Sequence, residues 1–277
     1  MTQTDYHSLI DAPTWAFIAR CGARYPEDTA TPRAADRRRI YAAMCRSFDH
    51  GRAPGVTVRD HPVGDVPCRT YSGDWPAVVY LHGGGFVVDG LDSHDEVCAE
   101  ICAATGPRVV SVDDRLSPEH PHPAAFDDTL AVARAQPDQG PVLLAVDPAG
   151  GNPAAAAARA LRGRPNLRGV VLSYPFLGEG LDYGSSRTHA HAPMLSRDNV
   201  LFYQAIRQDA PGAPSAAPLL AADLTGLSPT VSFSADCDPL ADDALHDCAR
   251  LKAGGTLDHP IPSRNAVSST AIFAPAT

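Results

Sequence analysis

Five short apolar runs, each bounded by Gly, Pro or Asp and separated by helix-sized segments, constrain this chain more than any other feature. They are AVVYLH at 77–82, RVVSVD at 108–113, PVLLAVD at 141–147, RGVVLSYP at 168–175 and PTVSFSAD at 229–236. Their apolar residues run on instead of alternating, as in strands covered on both faces. Helices are expected between them at 124–135, 154–162 and 240–253. A further helix opens at Ser93, with Glu96 three residues on as a capping box and Gly106 as its C-cap. Strand, helix, strand at this spacing predicts an α/β fold with an open, mostly parallel sheet.

Two segments stand outside that pattern. Residues 33–49 carry a helical stripe (Ile40, Tyr41, Met44, Phe48) after an apolar stretch with Trp15, Phe17 and Ile18, so 1–52 is expected to form a helical cap segment on a core at 53–277. The stretch 176–228 is long for a connection and rich in Pro, Gly, Ser and His, which marks a cap-like insertion. No run approaches a membrane span, and MTQTDYHSLID lacks the basic and apolar regions of a secretion signal. A cytoplasmic protein is the expectation. With 23 basic against 32 acidic residues and one basic cluster, Arg37–Arg39, neither a nucleic acid nor a membrane surface is an expected partner. Seven scattered cysteines without a CxxC pair predict free thiols and no metal site.

The chemistry is suggested by HGGGF at 82–86, directly after a strand. Three consecutive glycines let backbone N–H groups approach a ligand, as an oxyanion hole requires, although a glycine triplet alone is also an ordinary turn. It is followed by SVDDRLSPEHPHPAAFDD at 111–128, VDPAGGN at 146–152 and DCDPLADD at 236–243. In order and spacing, across roughly residues 50–255, the set resembles the hormone-sensitive-lipase branch of the α/β-hydrolase esterases. The resemblance implies an α/β-hydrolase fold: about eight strands, helices on both faces and a small helical cap. It also implies oxyanion N–H groups at Gly83, Gly84 and Ala149 and a triad acid at Asp238. Asp113, Arg115, Pro118 and Glu119 match positions that brace the loop behind the site. Asp114 replaces a Tyr and reads either as a substrate contact or as an exposed loop acid.

The departures matter more. Where the family's elbow reads GDSAG, this chain has Val146, Asp147, Pro148, Ala149 and Gly150. Proline has no hydroxyl or thiol to attack a carbonyl, and its fixed φ does not suit the strained elbow conformation. The family's catalytic His would fall near Val267, but NAVSSTAIF contains none; the nearest is His259, about eight residues early and followed by Pro260. The final residues, rich in Pro, Ser and Ala, imply either that the fold ends early or that the tail packs in its own way.

Other groups must then move protons if the protein is an enzyme. His189 and His191 lie in the insertion and have the ordinary range for acid–base work, but read equally as plain loop histidines or, as an HxH pair without a third ligand, as a weak hint of metal; Asp147 is a base if the elbow turns it inward and otherwise a structural acid hydrogen-bonded in the turn, and Asp238 is a further candidate or a vestige. The candidate substrate contacts are His82, Gly85, Phe86, Asp114 and Pro148, with His82 also readable as a loop brace. Cys237 reads as packing. The function expected is a non-hydrolytic step such as cyclisation, elimination or isomerisation on a carbonyl-bearing small molecule, perhaps in specialised metabolism, using the oxyanion donors without a cofactor. The alternatives are a ligand-binding or scaffold protein without activity and a residual carboxylesterase with a non-serine mechanism. A small molecule is the expected partner, with a homodimer left open.

Overall fold

The computed structural model of the protein describes residues 4–24, 33–137, 140–147, 149–178, 180–210, 212–256 and, as backbone, 258–263. Three helices come first: α1 (Tyr6–Leu9), α2 (Ala12–Gly22) and α3 (Ala34–Arg46). An antiparallel hairpin follows, β1 (Val58–Val63) and β2 (Val66–Tyr71), then β3 (Asp74–Leu81), α4 (Asp95–Thr105), β4 (Pro107–Val112), α5 (Ala124–Ala135) and β5 (Val142–Val146). The chain continues through α6 (Gly151–Ala160), β6 (Leu167–Ser173), α7 (Gly184–Thr188), α8 (Arg197–Arg207), β7 (Thr230–Ala235), α9 (Ala241–Ala253) and β8 (Asp258–Ser263).

The strands form one eight-stranded sheet in the order β1-β2-β4-β3-β5-β6-β7-β8. Only the β1–β2 and β2–β4 pairs are antiparallel. The five continuous apolar runs are β3 to β7, buried on both faces as their patterning requires. In β3, Val79 and Leu81 join the core beneath α5 and α6, while Val78 and Tyr80 face α4 with Cys98 and Cys102. The alanine run of α6 is wholly buried, and its small side chains let that helix lie close on the central strands.

Three features depart from the sequence expectations. The hairpin carries Arg59, Asp60 and Arg69 among its apolar residues, so it has no continuous run to reveal it. The capping box at Ser93 does not form. α4 begins at Asp95, the Ser93 hydroxyl donates to the Gly90 carbonyl (2.7 Å), and Glu96 instead accepts from the His50 N–H. Gly106 does close the helix in the left-handed conformation. At the far edge, Asp258–Ser263 adds β8 alongside β7, so the sheet does not stop at the expected last strand. Its prolines, 260 and 262, are two apart and so remove N–H groups from one side of the strand only, which an edge strand tolerates. The closing stretch around Val267 lies outside the described residues.

The N-terminal helices pack on each other through Cys21, Met44, Cys45 and Phe48. Two arginines fasten α3 to the body: Arg37 lies 4.2 Å over the Phe202 ring of α8, and Arg38 makes a set of hydrogen bonds. Arg38 donates through Nε to the Val87 carbonyl (2.7 Å), through Nη2 to the Ser117 carbonyl (3.0 Å), and through both terminal nitrogens to the Glu119 carboxylate (3.0 and 2.6 Å).

Candidate active site

The HGGGF segment leaves the end of β3 as a single tight turn, with positive φ at Gly84 (+83°), Gly85 (+59°) and Phe86 (+65°). Left-handed backbone at consecutive residues is affordable because two of them lack a Cβ. The second glycine is also needed for space: a Cβ on Gly84 would stand 2.7 Å from the Cβ of Asp89. Across from this turn, β5 ends at Val146 and the chain passes through Asp147 and Ala149 into α6. Gly150 sits so close to the end of β3 that an added Cβ would lie 2.6 Å from the Leu81 carbonyl oxygen. Pro153 is in the first turn of α6, where an N–H would be unpaired anyway. Pro148 itself lies outside the described residues.

Between the turn and the elbow lies a cavity of about 390 Å³. Gly84, Gly85, Asp147 and Ala149 form one wall, and Phe86, Phe176 and Leu240 line it with apolar surface. Cys21 and Met44 from α2 and α3 and Val200 and Tyr203 from α8 cover it. α8 is anchored by Arg207, whose buried guanidinium donates to Asn152 Oδ1 (2.9 Å) and the Ala216 carbonyl (3.1 Å) and lies 4.4 Å over the Phe86 ring. Burial brings its pKa down to about 10, with Asp209 opposing.

Asp147, only 3% exposed, is held from behind by an imidazole that the sequence reading missed. His94 Nε2 donates to Asp147 Oδ2 at 2.6 Å, and its Nδ1 lies 3.1 Å from Ser93 Oγ and 3.5 Å from Asp89 Oδ1. The second Asp147 oxygen, Oδ1, has no hydrogen-bond partner among the described residues. Burial pushes the His94 pKa down, but the Asp147 and Asp89 carboxylates outweigh it and hold the ring well above the usual imidazole range. Burial likewise pushes Asp89 up, and His94 and His82 more than compensate, leaving it below the usual carboxylate range.

The remaining predicted residues separate into those at the cavity and those behind it. Gly84, Gly85, Phe86, Ala149 and Asp147 are brought together on its wall, whereas Gly83 is not. Gly83 instead packs against Asp147, and a Cβ there would come within 2.8 Å of Oδ2. His82 and Asp114 are corrected as substrate contacts. They face each other behind the glycine turn, His82 Nε2 lying 3.3 Å from Asp114 Oδ1, and neither lines the cavity. Asp114 is no exposed loop acid either; it is 8% exposed, and burial raises its pKa to about 6 against the pull of His82. His82 is shifted down by burial and further up by Asp114 and Asp89, for a net rise.

Of the residues read as loop braces, Arg115 pairs with Asp128 (2.8 Å) and Glu119 with Arg38. His189 and His191 are not at the cavity: His189 is half-buried beside the Tyr6 ring (5.9 Å between centroids) and His191 is exposed. Asp238 is buried and accepts from the Leu240 N–H (2.8 Å), fixing the turn into α9 without lining the cavity. Cys237 packs with Ile10. No metal-binding group of three or more His, Cys, Asp or Glu occurs among the described residues. His94 and Asp89 were hidden because VVDGLDSHDE reads as the approach to a helix, and nothing in its periodicity shows that Asp89 turns back under Gly84.

Comparison with known proteins follows this geometry closely. Residues 78–258 match a family model described as an alpha/beta hydrolase fold. Carboxylesterase NlhH of Mycobacterium tuberculosis is 35% identical over 228 residues, 73% of this chain and 72% of its own length. Esterase LipI of the same organism is 34% identical over 75% of this chain and 70% of its own. A crystal structure of an esterase from the bacterial hormone-sensitive lipase (HSL) family superposes with a TM-score of 0.85 at 29% identity, covering 96% of this chain and 92% of that one.

Proposed function

Since the chain belongs to the α/β-hydrolase fold family and is an esterase homologue with proline at position 148, we propose that it has lost the serine mechanism and catalyses a non-hydrolytic proton transfer on an apolar, carbonyl-bearing small molecule. The observation that carries this reading is Asp147. It stands at the wall of an apolar cavity, its Oδ2 is occupied by His94, and its Oδ1 has no hydrogen-bond partner among the described residues. In this reading Asp147 Oδ1 takes the proton from the carbon next to the carbonyl, and the Gly84 and Gly85 segment offers backbone N–H groups to the enolate oxygen. Each such donor is worth roughly 10²–10³ in rate when water is excluded. Elimination, isomerisation and cyclisation all begin from that enolate. In this reading the cap expected from residues 1–52 and 176–228 covers the cavity through α2, α3 and α8.

We also place the protein in the cytoplasm. The seven cysteines are all free thiols, and no helix among the described residues is long and apolar enough to cross a membrane.

The test is exchange of the α-hydrogens of an alkyl ketone and its β-diketone analogue in D2O, followed by mass spectrometry. Enzyme-dependent exchange that is lost in Asp147→Asn supports the proposal. Binding of the probe without exchange makes the protein a ligand-binding scaffold. Hydrolysis of short acyl nitrophenyl esters by contaminant-free protein would restore the esterase reading. Pro148→Ser alone should not produce such hydrolysis, because no histidine stands at the family's position to activate the serine.

A further inference from the structure

Asp89 pays a conformational cost to be where it is. Its φ is +87°, in the left-handed region that residues with a Cβ seldom occupy. Its side chain has no solvent exposure, and it fits only because Gly84 has no Cβ to meet its own. A strained backbone, a buried carboxylate and a glycine that makes room for it place an Asp89 oxygen 3.5 Å from Nδ1 of the His94 ring, an ion-pair contact beside the Ser93 hydroxyl that lies 3.1 Å from the same nitrogen. The other side of that ring holds Asp147 at 2.6 Å. His94 is thus clamped between two carboxylates, one beneath the glycine turn and one at the cavity wall.

We propose that Asp89 is a positioning residue for Asp147, acting through His94: it keeps the imidazole doubly protonated and turned so that Nε2–H always occupies Asp147 Oδ2. The proposal rests on Asp147 being the base and adds the device that orients it. When the ring carries both protons, Asp147 Oδ2 can only accept, and a proton from the ligand goes to Oδ1 alone. The carboxyl then formed still accepts from His94 through Oδ2, so the ring neither gains nor loses a proton in the step. If the ring were neutral, its remaining proton could sit on Nδ1 and Nε2 would become an acceptor, which would compete for the ligand's proton and leave Asp147 unanchored.

The other ionisable groups packed around this clamp are mostly of the kind that leave the ring charged. His82 stacks beside it, 6.2 Å between ring centroids, and is itself held by Asp114. Asp113 and Asp114 lie behind the turn, Tyr80 comes from β3, Cys98 from α4, Cys45 from α3 and Tyr203 from α8. Burial raises each of these acids, and the phenols and thiols stay neutral at ordinary pH. Asp89 is the carboxylate that reaches the Nδ1 side of the ring, at 3.5 Å.

The experiment follows the His94 ring by NMR in the ligand-free protein, with imidazole labelled at Cε1 and Nε2 and its signals assigned by comparison with His94→Gln. In the wild type the ring should remain doubly protonated above the ordinary imidazole titration range. In Asp89→Asn, which keeps side-chain size and tolerates a left-handed backbone, its proton affinity should fall at least tenfold, and Asp89→Glu should restore part of it. A wild-type ring that titrates below pH 7, or one whose titration is the same in Asp89→Asn, would overturn the proposal. Should Asp89→Asn not fold, Asp89→Ser removes the same charge, and a ring that titrates there as in the wild type sinks the idea. A purely structural Asp89 would change stability without moving the titration. These readings need no substrate, so absence of ketone exchange with an intact titration difference would reject the catalytic reading and leave the clamp standing.

Discussion

Gly84 and Gly106 share the same backbone angle, φ of +83°, but not the same surroundings. A matched pair of alanine substitutions therefore separates conformational strain from crowding. At Gly106, the C-cap of α4, an added Cβ meets nothing within 4 Å, so Gly106→Ala should cost only the left-handed strain of a residue with a Cβ, about 1–2 kcal/mol. At Gly84 the same atom would stand 2.7 Å from Asp89 Cβ, 3.0 Å from its Oδ2 and 3.2 Å from Val88 Cγ2. Asp89 cannot move aside freely, because it is enclosed and faces His94. Overpacking of this kind adds about 1–3 kcal/mol, so Gly84→Ala should lose about 2–5 kcal/mol in all. At about 2–4 °C per kcal/mol for a chain approaching this size, the midpoint should fall by several degrees for Gly106→Ala and by roughly twice that for Gly84→Ala. Thermal unfolding followed by circular dichroism, checked by urea titration for equal m-values, supplies the comparison. A Gly84→Ala protein no less stable than Gly106→Ala would mean that Asp89 is not held as described, and the argument for a clamped His94 would lose its geometric basis.

Two further outcomes follow from buried charge. Asp114 titrates near about 6 in the folded protein because of burial and near about 3.9 when unfolded, so the native state holds the extra proton between those values and its stability falls as pH rises through that window. Asp114→Asn removes this loss. Its urea midpoint should gain on the wild type between pH 4.5 and pH 7, by up to about 3 kcal/mol, and a pH-independent gap between the two proteins would refute the assignment. Arg159 in α6 is paired with Asp247 in α9 at 2.5 Å, both almost fully buried. Arg159→Met should cost about 3–5 kcal/mol by removing the charge partner of a buried carboxylate, whereas Arg159→Met with Asp247→Leu should recover much of it; equal losses in urea denaturation would show the pair is not the source.

The fold was readable because its central strands are buried on both faces, and five uninterrupted apolar runs admit few other arrangements. The hairpin was not, since alternation of Val58 and Val63 with Arg59 and Asp60 resembles loop sequence when only one face is covered. At the site, the glycine turn and Asp147 were legible as candidates, from a motif in one case and its neighbour in the other. What the sequence did not show is the partner of Asp147, His94, which lies 53 positions away and is brought beside it only by tertiary structure. The histidines of the insertion were attractive because their intrinsic titration range suits catalysis, yet a near-neutral pKa says nothing about location. His189 spends its apolar surface on Tyr6, and His191 faces solvent.

The four hydrogen bonds of Arg38 run not to the sheet but to the carbonyls of Val87 and Ser117 and to Glu119, all next to the glycine turn. Roof and floor of the cavity are therefore riveted to each other. Swinging α3 outward to admit a ligand must either shear that guanidinium from its acceptors or drag the amide-bearing turn along with it.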